Sequence, residues 1–360
     1  MFPASRAVIV FAFTMRLVLS HHTALEFWLS SLSLYKSEFE NAHVAISPVE
    51  LTRNQLHSLR ASFRRSTGVR RTLDLLVGSA IERTRLPSSK FHVWNEGHFP
   101  EGAIVPLGNG LHVVSPELCY LQMARTHSGL ELARIGTDLC SLYAYPYNLW
   151  AGDLLERKPI TSRNAILDFL DTHAAGLAGA KEARRCAGHI IERTRSPRES
   201  TLSCLLSAPA RMGGQALAGM EANAEIPLSA EGAKLTTRKY LEVDLYWPEK
   251  RLGVEYNSHL HDTNEAAYRD LEKITTLNAM GTTIVPLNTE HMNNYESFQV
   301  VVRALRRQMG LRDQETARMD QARRQAHARL LESERRLGSL PSLTDQAWWQ
   351  VLLPTVEIGS

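Results

Sequence analysis

Residues 239–257, KYLEVDLYWPEKRLGVEYN, contain two segments in which apolar and polar residues alternate. Successive side chains of a strand point to opposite faces, so each segment predicts a β-strand. The turn between them, residues 248–251, is a four-residue loop that predicts a hairpin pairing Trp247 with Leu252. The same register places Asp244 directly opposite Glu255, with both side chains on one face of the sheet.

Two carboxylates that face each other on a sheet repel and weaken the strand pairing. A divalent cation held between Asp244 and Glu255 would remove that repulsion. Mg²⁺ is the ion that this pair favours, because it commonly takes one or two carboxylates together with water and substrate phosphate; Mn²⁺ is the alternative ion. The geometry alone is equally compatible with both carboxylates pointing into solvent, or with their pairing with arginine.

Polar residues continue after the hairpin. Asn257 follows Glu255 on the same face, and a loop then supplies His259 and His261. A helix predicted over 264–280 would place Asp270 and Lys273 on a polar face. Its predicted buried stripe consists of Ala267, Leu271, Ile274 and either Asn278 or Leu277. Solvated charge explains such a helix face equally well, and loop histidines are often surface residues.

These motifs follow one another in a fixed order. The order is a helix start S-P-R-E at 196–199 with Glu199, then D-x-x-W-P at 244–248, V-E-Y-N-S at 254–258, His261, and R-D-x-x-K at 269–273. Over roughly residues 196–290 the chain resembles the PD-(D/E)XK restriction-endonuclease-like superfamily, in the branch similar to very-short-patch mismatch-repair endonucleases, which includes uncharacterised bacterial proteins. The resemblance implies an endonuclease that hydrolyses DNA phosphodiester bonds with a metal ion.

The resemblance also implies roles for individual residues. Asp244 and Glu255 fall on the metal-binding acids, Glu199 on the acid of the first core helix, and His261 on a loop histidine of this branch. The catalytic set would be Asp244, Glu255, Asn257, His261 and Lys273, and the metal ligands would be Asp244, Glu255 and Glu199.

The chain departs from the family pattern in two respects. The usual lysine two residues after the glutamate is Asn257 here, and an amide can neither act as a base nor balance a negative charge. Lys273 would then supply the missing cation from the helix. Glu199 is also the acid of a capping box, in which the side chains of Ser196 and Glu199 satisfy the first N–H groups of their own helix.

The predicted fold class is α/β, with a restriction-endonuclease-like mixed sheet flanked by helices in the C-terminal half and an α+β region before it. The predicted domains are 1–195, of unknown role, 196–310, the endonuclease-like domain, and 311–360, a charged helical tail. Within the first region we expect a helix over 50–85 and short strands over 91–116. Residues 207–235, rich in Gly and Ala, are expected to end in a polar loop. Residues 115–124, SPELCYLQMA, resemble the upstream part of some of these bacterial proteins, and the region has a similarity to abortive-infection antitoxins.

Composition narrows the classes of protein further. The 360 residues carry a net charge of +3, with 44% hydrophobic and 22% charged residues, which excludes wholesale disorder and a coiled-coil rod. Only eight of the 41 basic residues are lysine. Arginine suits phosphate contacts, although the base composition of a gene can also produce such an excess. Four scattered cysteines fit buried, reduced thiols and a cytoplasmic location, and the apolar start is too short for a membrane helix.

The function that these observations favour is a Mg²⁺-dependent (or Mn²⁺-dependent) endonuclease with DNA as its partner and no membrane association. Arg64, Arg65 and Arg269 are the predicted nucleic-acid contacts. The alternative is a catalytically inactive nucleic-acid-binding or antitoxin-like regulator on the same fold, which Asn257 favours. The sequence is compatible with a homodimer. A purely structural interaction protein is disfavoured by the facing carboxylates.

Overall fold

The computed structural model describes residues 17–35, 73–78, 89–95, 99–108, 111–146, 153–257, 264–312 and 316–338. These residues form two compact units. The first draws on the described residues within 1–26 and 34–115, and the second on those within 27–33 and 116–341. The described chain is a mixed α/β structure, as the sequence predicts.

The first unit is built on a five-stranded mixed sheet with the strand order β3-β2-β1-β5-β4. Strand β1 is parallel to β5 and antiparallel to β2, while β2 and β3 run parallel. The strands are β1 (Leu17–Leu19), β2 (Leu73–Val77), β3 (Ser89–Val93), β4 (Ile104–Gly108) and β5 (Leu111–Val114), and helix α1 (His21–Leu29) follows β1.

Strand β2 corrects the helix predicted over 50–85. Residues 73–77, LDLLV, form a strand in which all five side chains are buried. A short apolar run covered on both faces has no alternation, so periodicity alone does not distinguish it from a helix. The rest of the predicted helix, except Gly78, lies outside the described residues. The strands predicted over 91–116 are confirmed.

The second unit contains a four-stranded mixed sheet of order β11-β10-β9-β8, surrounded by helices. Neighbouring strands are antiparallel except for β10 and β11, which are parallel. The strands are β8 (Glu221–Pro227), β9 (Tyr240–Trp247), β10 (Leu252–Asn257) and β11 (Thr283–Asn288), and the short pair β6 (Tyr143–Ala144) and β7 (Leu155–Glu156) forms a separate sheet. The helices are α2 (Pro116–Met123), α3 (Gly129–Leu139), α4 (Arg163–His173), α5 (Ala180–Ala187), α6 (Pro197–Ser207), α7 (Asn264–Ala279), α8 (Thr289–Asn293), α9 (Tyr295–Gln308) and α10 (Ala317–Gly338).

Helix α10 packs into the second unit through one of its faces. Leu330 and Leu331 are buried, and the buried Glu334 carboxylate accepts a hydrogen bond from Thr201 of α6 at 2.8 Å. Glu334 also pairs with Arg198 of α6 at 2.8 Å. The charged helix predicted at the C-terminal end therefore has a solvated face and a face that belongs to the core of the unit.

Contacts also cross residue 195. The Tyr143 hydroxyl lies 3.2 Å from the Ser200 hydroxyl and donates to Asp138 at 2.7 Å, inside the second unit. The domain boundaries predicted after residues 195 and 310 stay predictions, but one compact unit extends across both.

The burial predicted for the cysteines is confirmed. All four cysteines are buried and none forms a disulfide. No helix among the described residues has the length and apolar character needed to cross a membrane.

Candidate active site

The hairpin of β9 and β10 has the predicted register. Leu252 pairs with Trp247, Gly253 with Tyr246 and Val254 with Leu245. Apolar residues of β9 are buried and alternate with half-buried polar ones. In β10, by contrast, consecutive residues from Leu252 to Glu255 are buried, so both faces of this strand are covered.

Gly253 shows how closely the elements approach here. A Cβ atom at this position would lie 2.6 Å from Cγ1 of Val243 and 2.8 Å from Cδ1 of Ile284. Any side chain would push these neighbours apart, so glycine is required by the close packing of β9, β10 and β11.

Asp244 and Glu255 interlock at the point where this pairing ends. The Asp244 carboxylate accepts a hydrogen bond from the Tyr256 N–H at 2.8 Å, and the Glu255 carboxylate accepts one from the Asp244 N–H at 3.3 Å. The carboxylate of Asp244 in β9 therefore binds the main chain of β10, and the carboxylate of Glu255 in β10 binds the main chain of β9. The two predicted acids are brought together by strand pairing.

Lys273 of α7 completes this group. Its ammonium lies 2.6 Å from the second oxygen of the Glu255 carboxylate. Leu277, one turn further along α7, packs with Leu241, Val243 and Ile284 of the sheet and holds the helix in place. Lys273 thus places a cation beside Glu255. Its compensation for Asn257 stays a prediction.

The buried stripe of α7 agrees with the prediction at Ile274 and Leu277, which pack against the sheet, and differs from it at Leu271 and Lys273. Thr276 and Leu277 are buried and Lys273 is half-buried, whereas Leu271 is 63% exposed. Lys273 lies on the face of α7 toward the sheet, where its ammonium pairs with the Glu255 carboxylate.

Glu199 lies in the first turn of α6 and is buried. Ser196 caps the helix by accepting a hydrogen bond from the Glu199 N–H at 3.1 Å, and the Ser196 hydroxyl donates to the Glu199 carboxylate at 2.9 Å. The Arg195 N–H donates to the same carboxylate at 2.8 Å. Ser196 therefore caps α6 as predicted, but the Glu199 carboxylate accepts from the N–H of Arg195 and not from that of Ser196, so only half of the predicted capping box forms. The metal-binding role of Glu199 stays a prediction.

Asn223 of β8 is a residue at this site that the sequence did not predict. Its amide donates to the Glu199 carboxylate at 2.7 Å and to the main-chain oxygen of Arg193 at 2.9 Å. Its φ of 48° lies in the left-handed region, which is uncommon for a residue other than glycine. The segment 207–235, for which no strand was predicted, contains β8. The alternation of Ala222, Ala224 and Ile226 with polar residues was the signal that could have revealed this strand.

Burial dominates the electrostatics of the three acids. It raises the pKa of Glu255 to about 7, with a further contribution from the charge of Asp244, while Lys273 acts in the opposite direction. Burial also raises the pKa of Asp244, and burial followed by the charge of Asp244 raises the pKa of Glu199. The acids therefore interact, and a nearby cation would favour their charged forms.

The remaining predicted site residues that the structure describes lie at the surface. Asn257 is exposed at the end of β10, and Arg269 is exposed on α7. Arg64, Arg65 and His261 lie outside the described residues, as does His259, so their predicted roles stay predictions.

Asp244 and Glu255 supply some of the oxygen ligands that a divalent metal ion requires. Among the described residues, no group of three or more His, Cys, Asp or Glu side chains is arranged to hold a metal. Asp244 and Glu255 still offer two carboxylates, and Oδ1 of Asp244 accepts no hydrogen bond from any described residue. Two carboxylates fit Mg²⁺ when water and phosphate supply the other ligands.

Comparisons with protein-family models, with curated proteins and with solved structures found no match to this chain.

Proposed function

We propose that this chain is a metal-dependent endonuclease that hydrolyses DNA phosphodiester bonds, with a restriction-endonuclease-like arrangement in its second unit. The observation that carries the proposal is the interlocked pair Asp244 and Glu255 with the Lys273 ammonium 2.6 Å from Glu255. Packing buried acids together costs stability, and such arrangements cluster at functional sites. The fold-level part of the proposal rests on the motif order given by the sequence.

Asp244 and Glu255 would hold Mg²⁺ or Mn²⁺, which when bound polarises a phosphate and supplies a water of lowered pKa. Lys273 places a positive charge beside the acids, where it offsets negative charge on a phosphate. Asn257 can donate a hydrogen bond to a phosphate oxygen but cannot take a proton. The proposed general base or phosphate contact is His261.

Glu199 and Asn223 support the acids from the neighbouring strand and helix. Asn223 orients the Glu199 carboxylate by the 2.7 Å hydrogen bond, and burial together with the charge of Asp244 raises the pKa of Glu199. Glu199 would bind either the cation itself or a water molecule bound to that cation. In both cases its hydrogen bonds with Ser196 hold it at the start of α6.

Cleavage of duplex DNA by the purified full-length chain, with Mg²⁺, Mn²⁺ or EDTA, tests the proposal. We expect cleavage with either metal and none with EDTA. Asp244→Asn should lower the rate by roughly a hundredfold or more, because a lost ligand removes several kcal/mol of transition-state stabilisation. The matched control is Asp168→Asn, which removes an exposed carboxylate of α4 and should keep the wild-type rate.

The second candidate function is a nucleic-acid-binding, antitoxin-like regulator without catalysis. Two observations favour it: the neutral Asn257 and the ion pair in which Lys273 already neutralises Glu255. DNA binding without cleavage under every metal condition would support this candidate and contradict the endonuclease.

A further inference from the structure

A second polar site lies in the same unit and shares no residue with the acids. It is a cavity of about 230 Å³ bounded by the start of α3, the end of α5, residues 210–212 and the middle of α10. Three arginines line it, namely Arg185, Arg211 and Arg329. They come from three separate segments of the chain, so their convergence is produced by tertiary packing.

The positive charge of this cavity is only partly neutralised. Arg185 forms two hydrogen bonds with Glu182, one of them at 2.9 Å from Nε. Arg211 and Arg329 form no salt bridge with any described residue. Glu131 is the one acid that lines the cavity among the described residues. Two guanidinium groups therefore remain available to an anion.

The positive charge of the cavity also acts on a neighbouring histidine, His189. The pKa of His189 is lowered, first by burial and then by the positive charges of Arg211 and Arg185. Arg211 and Arg185 thus both lie close enough to His189 to oppose its positive charge. An arriving anion would relieve that repulsion.

The start of α3 adds a smaller contribution. Ser128, the residue before the helix, makes no side-chain capping hydrogen bond and lines the cavity. The Gly129 N–H is already bonded to the Glu182 carboxylate at 2.8 Å. The arginines, rather than the helix start, therefore supply most of the attraction for an anion.

We propose that this cavity binds a phosphate group, held by Arg211 and Arg329 with Arg185 at its edge. A guanidinium presents several N–H donors in a plane that matches two phosphate oxygens, and an anion-binding site built from arginine fits the excess of arginine over lysine in this chain. The phosphate can belong to a nucleic-acid backbone or to a free phosphate or diphosphate. The site is independent of the proposed endonuclease activity.

Calorimetric titration of the full chain tests the proposal, with inorganic phosphate, pyrophosphate and a short DNA duplex as separate probes in a phosphate-free, low-salt buffer containing EDTA. We expect binding of at least one probe. Arg211→Gln with Arg329→Gln should weaken that binding by roughly tenfold or more, because two charge-assisted contacts are lost. The control is Arg303→Gln with Arg307→Gln, two exposed arginines of α9, which changes the net charge equally and should leave affinity within about twofold.

The probes separate the two sources of phosphate. Parallel weakening of duplex binding assigns the cavity to the nucleic-acid backbone, whereas weakening for phosphate and pyrophosphate alone assigns it to a free anion. Glu131→Gln provides a gain-of-binding variant that misfolding cannot mimic, with affinity rising roughly two- to fivefold. The proposal is overturned if the wild-type chain binds none of the probes, or if the double arginine variant and its control bind them equally. None of these binding measurements depends on DNA cleavage. The cavity proposal can therefore be tested even if the chain proves to have no endonuclease activity.

Discussion

Glu255 combines a buried position, a carboxylate neighbour and a lysine partner. The Lys273 ammonium at 2.6 Å partly compensates for the loss of water around the carboxylate. Burial and the charge of Asp244 nevertheless hold its pKa at about 7. In the absence of metal this residue therefore exchanges a proton near neutral pH, and the folded state keeps that proton to a higher pH than the unfolded chain does.

The first prediction at this scale concerns the pH dependence of stability in EDTA. Because its pKa is raised from 4.5 to about 7 on folding, Glu255 favours the folded state below about pH 4.5 and loses that contribution as the pH rises through 7. Glu255→Gln removes this loss, so its free energy of unfolding should exceed that of the wild type by about 1–3 kcal/mol at pH 8 and by less at pH 4.5.

Urea unfolding at pH 4.5, 6 and 8 measures this difference. Glu249→Gln, an exposed acid in the turn between β9 and β10, is the control and should show no such trend. A difference between Glu255→Gln and wild type that stays constant over this pH range would show that Glu255 is charged throughout.

Helix α10 is the element whose role differs most between the sequence-based prediction and the structure. Its charge pattern predicted a tail, yet it packs on residues 210–213 as well as on α6. Gly213 has a φ of 86°, and a Cβ atom there would lie 2.5 Å from Cβ of Ala326 and 3.0 Å from the main-chain oxygen of Ala322. The helix thus approaches this turn so closely that no side chain fits between them.

This packing gives a prediction with an internal control. Gly213→Ala should destabilise the chain by about 2–4 kcal/mol, because it combines a left-handed backbone with a steric clash. Gly219→Ala shares the positive φ, at 80°, but its Cβ would meet nothing within 4 Å, so it should cost only about 1 kcal/mol. Thermal or urea unfolding compares the two, and equal losses would mean that α10 does not pack against Gly213.

The whole second unit depends on contacts between residues far apart in the chain. Tyr143 of β6 contacts Ser200 at 3.2 Å, and Glu334 of α10 binds Thr201 and Arg198, each at 2.8 Å. All three are contacts of α6, the helix that carries Glu199. The position of that acid therefore depends on residues on both sides of the predicted 196–310 domain.

A fragment comparison tests this dependence. A fragment of residues 196–310 lacks both sets of partners, so the amide hydrogens of α6 should exchange much faster in it than in the intact chain. A fragment of residues 116–341 keeps those partners and should retain more of the protection. Equal protection of α6 in 196–310 and in the intact chain would instead support the boundary predicted from the sequence.

The sequence alone determined those features that depend on neighbours a few residues apart. The alternation in β9 and β10, the short turn between them and the capping of α6 by Ser196 are local, and local geometry predicted the register that sets Asp244 beside Glu255. Tertiary structure decided the rest: Asn223 contacts Glu199 across 24 positions, and Thr201 meets Glu334 across 133. The arginine-lined cavity likewise combines separate segments. Such contacts depend on how helices and strands pack around shared cores. The spacing of residues along the chain does not specify which distant side chains will come into contact.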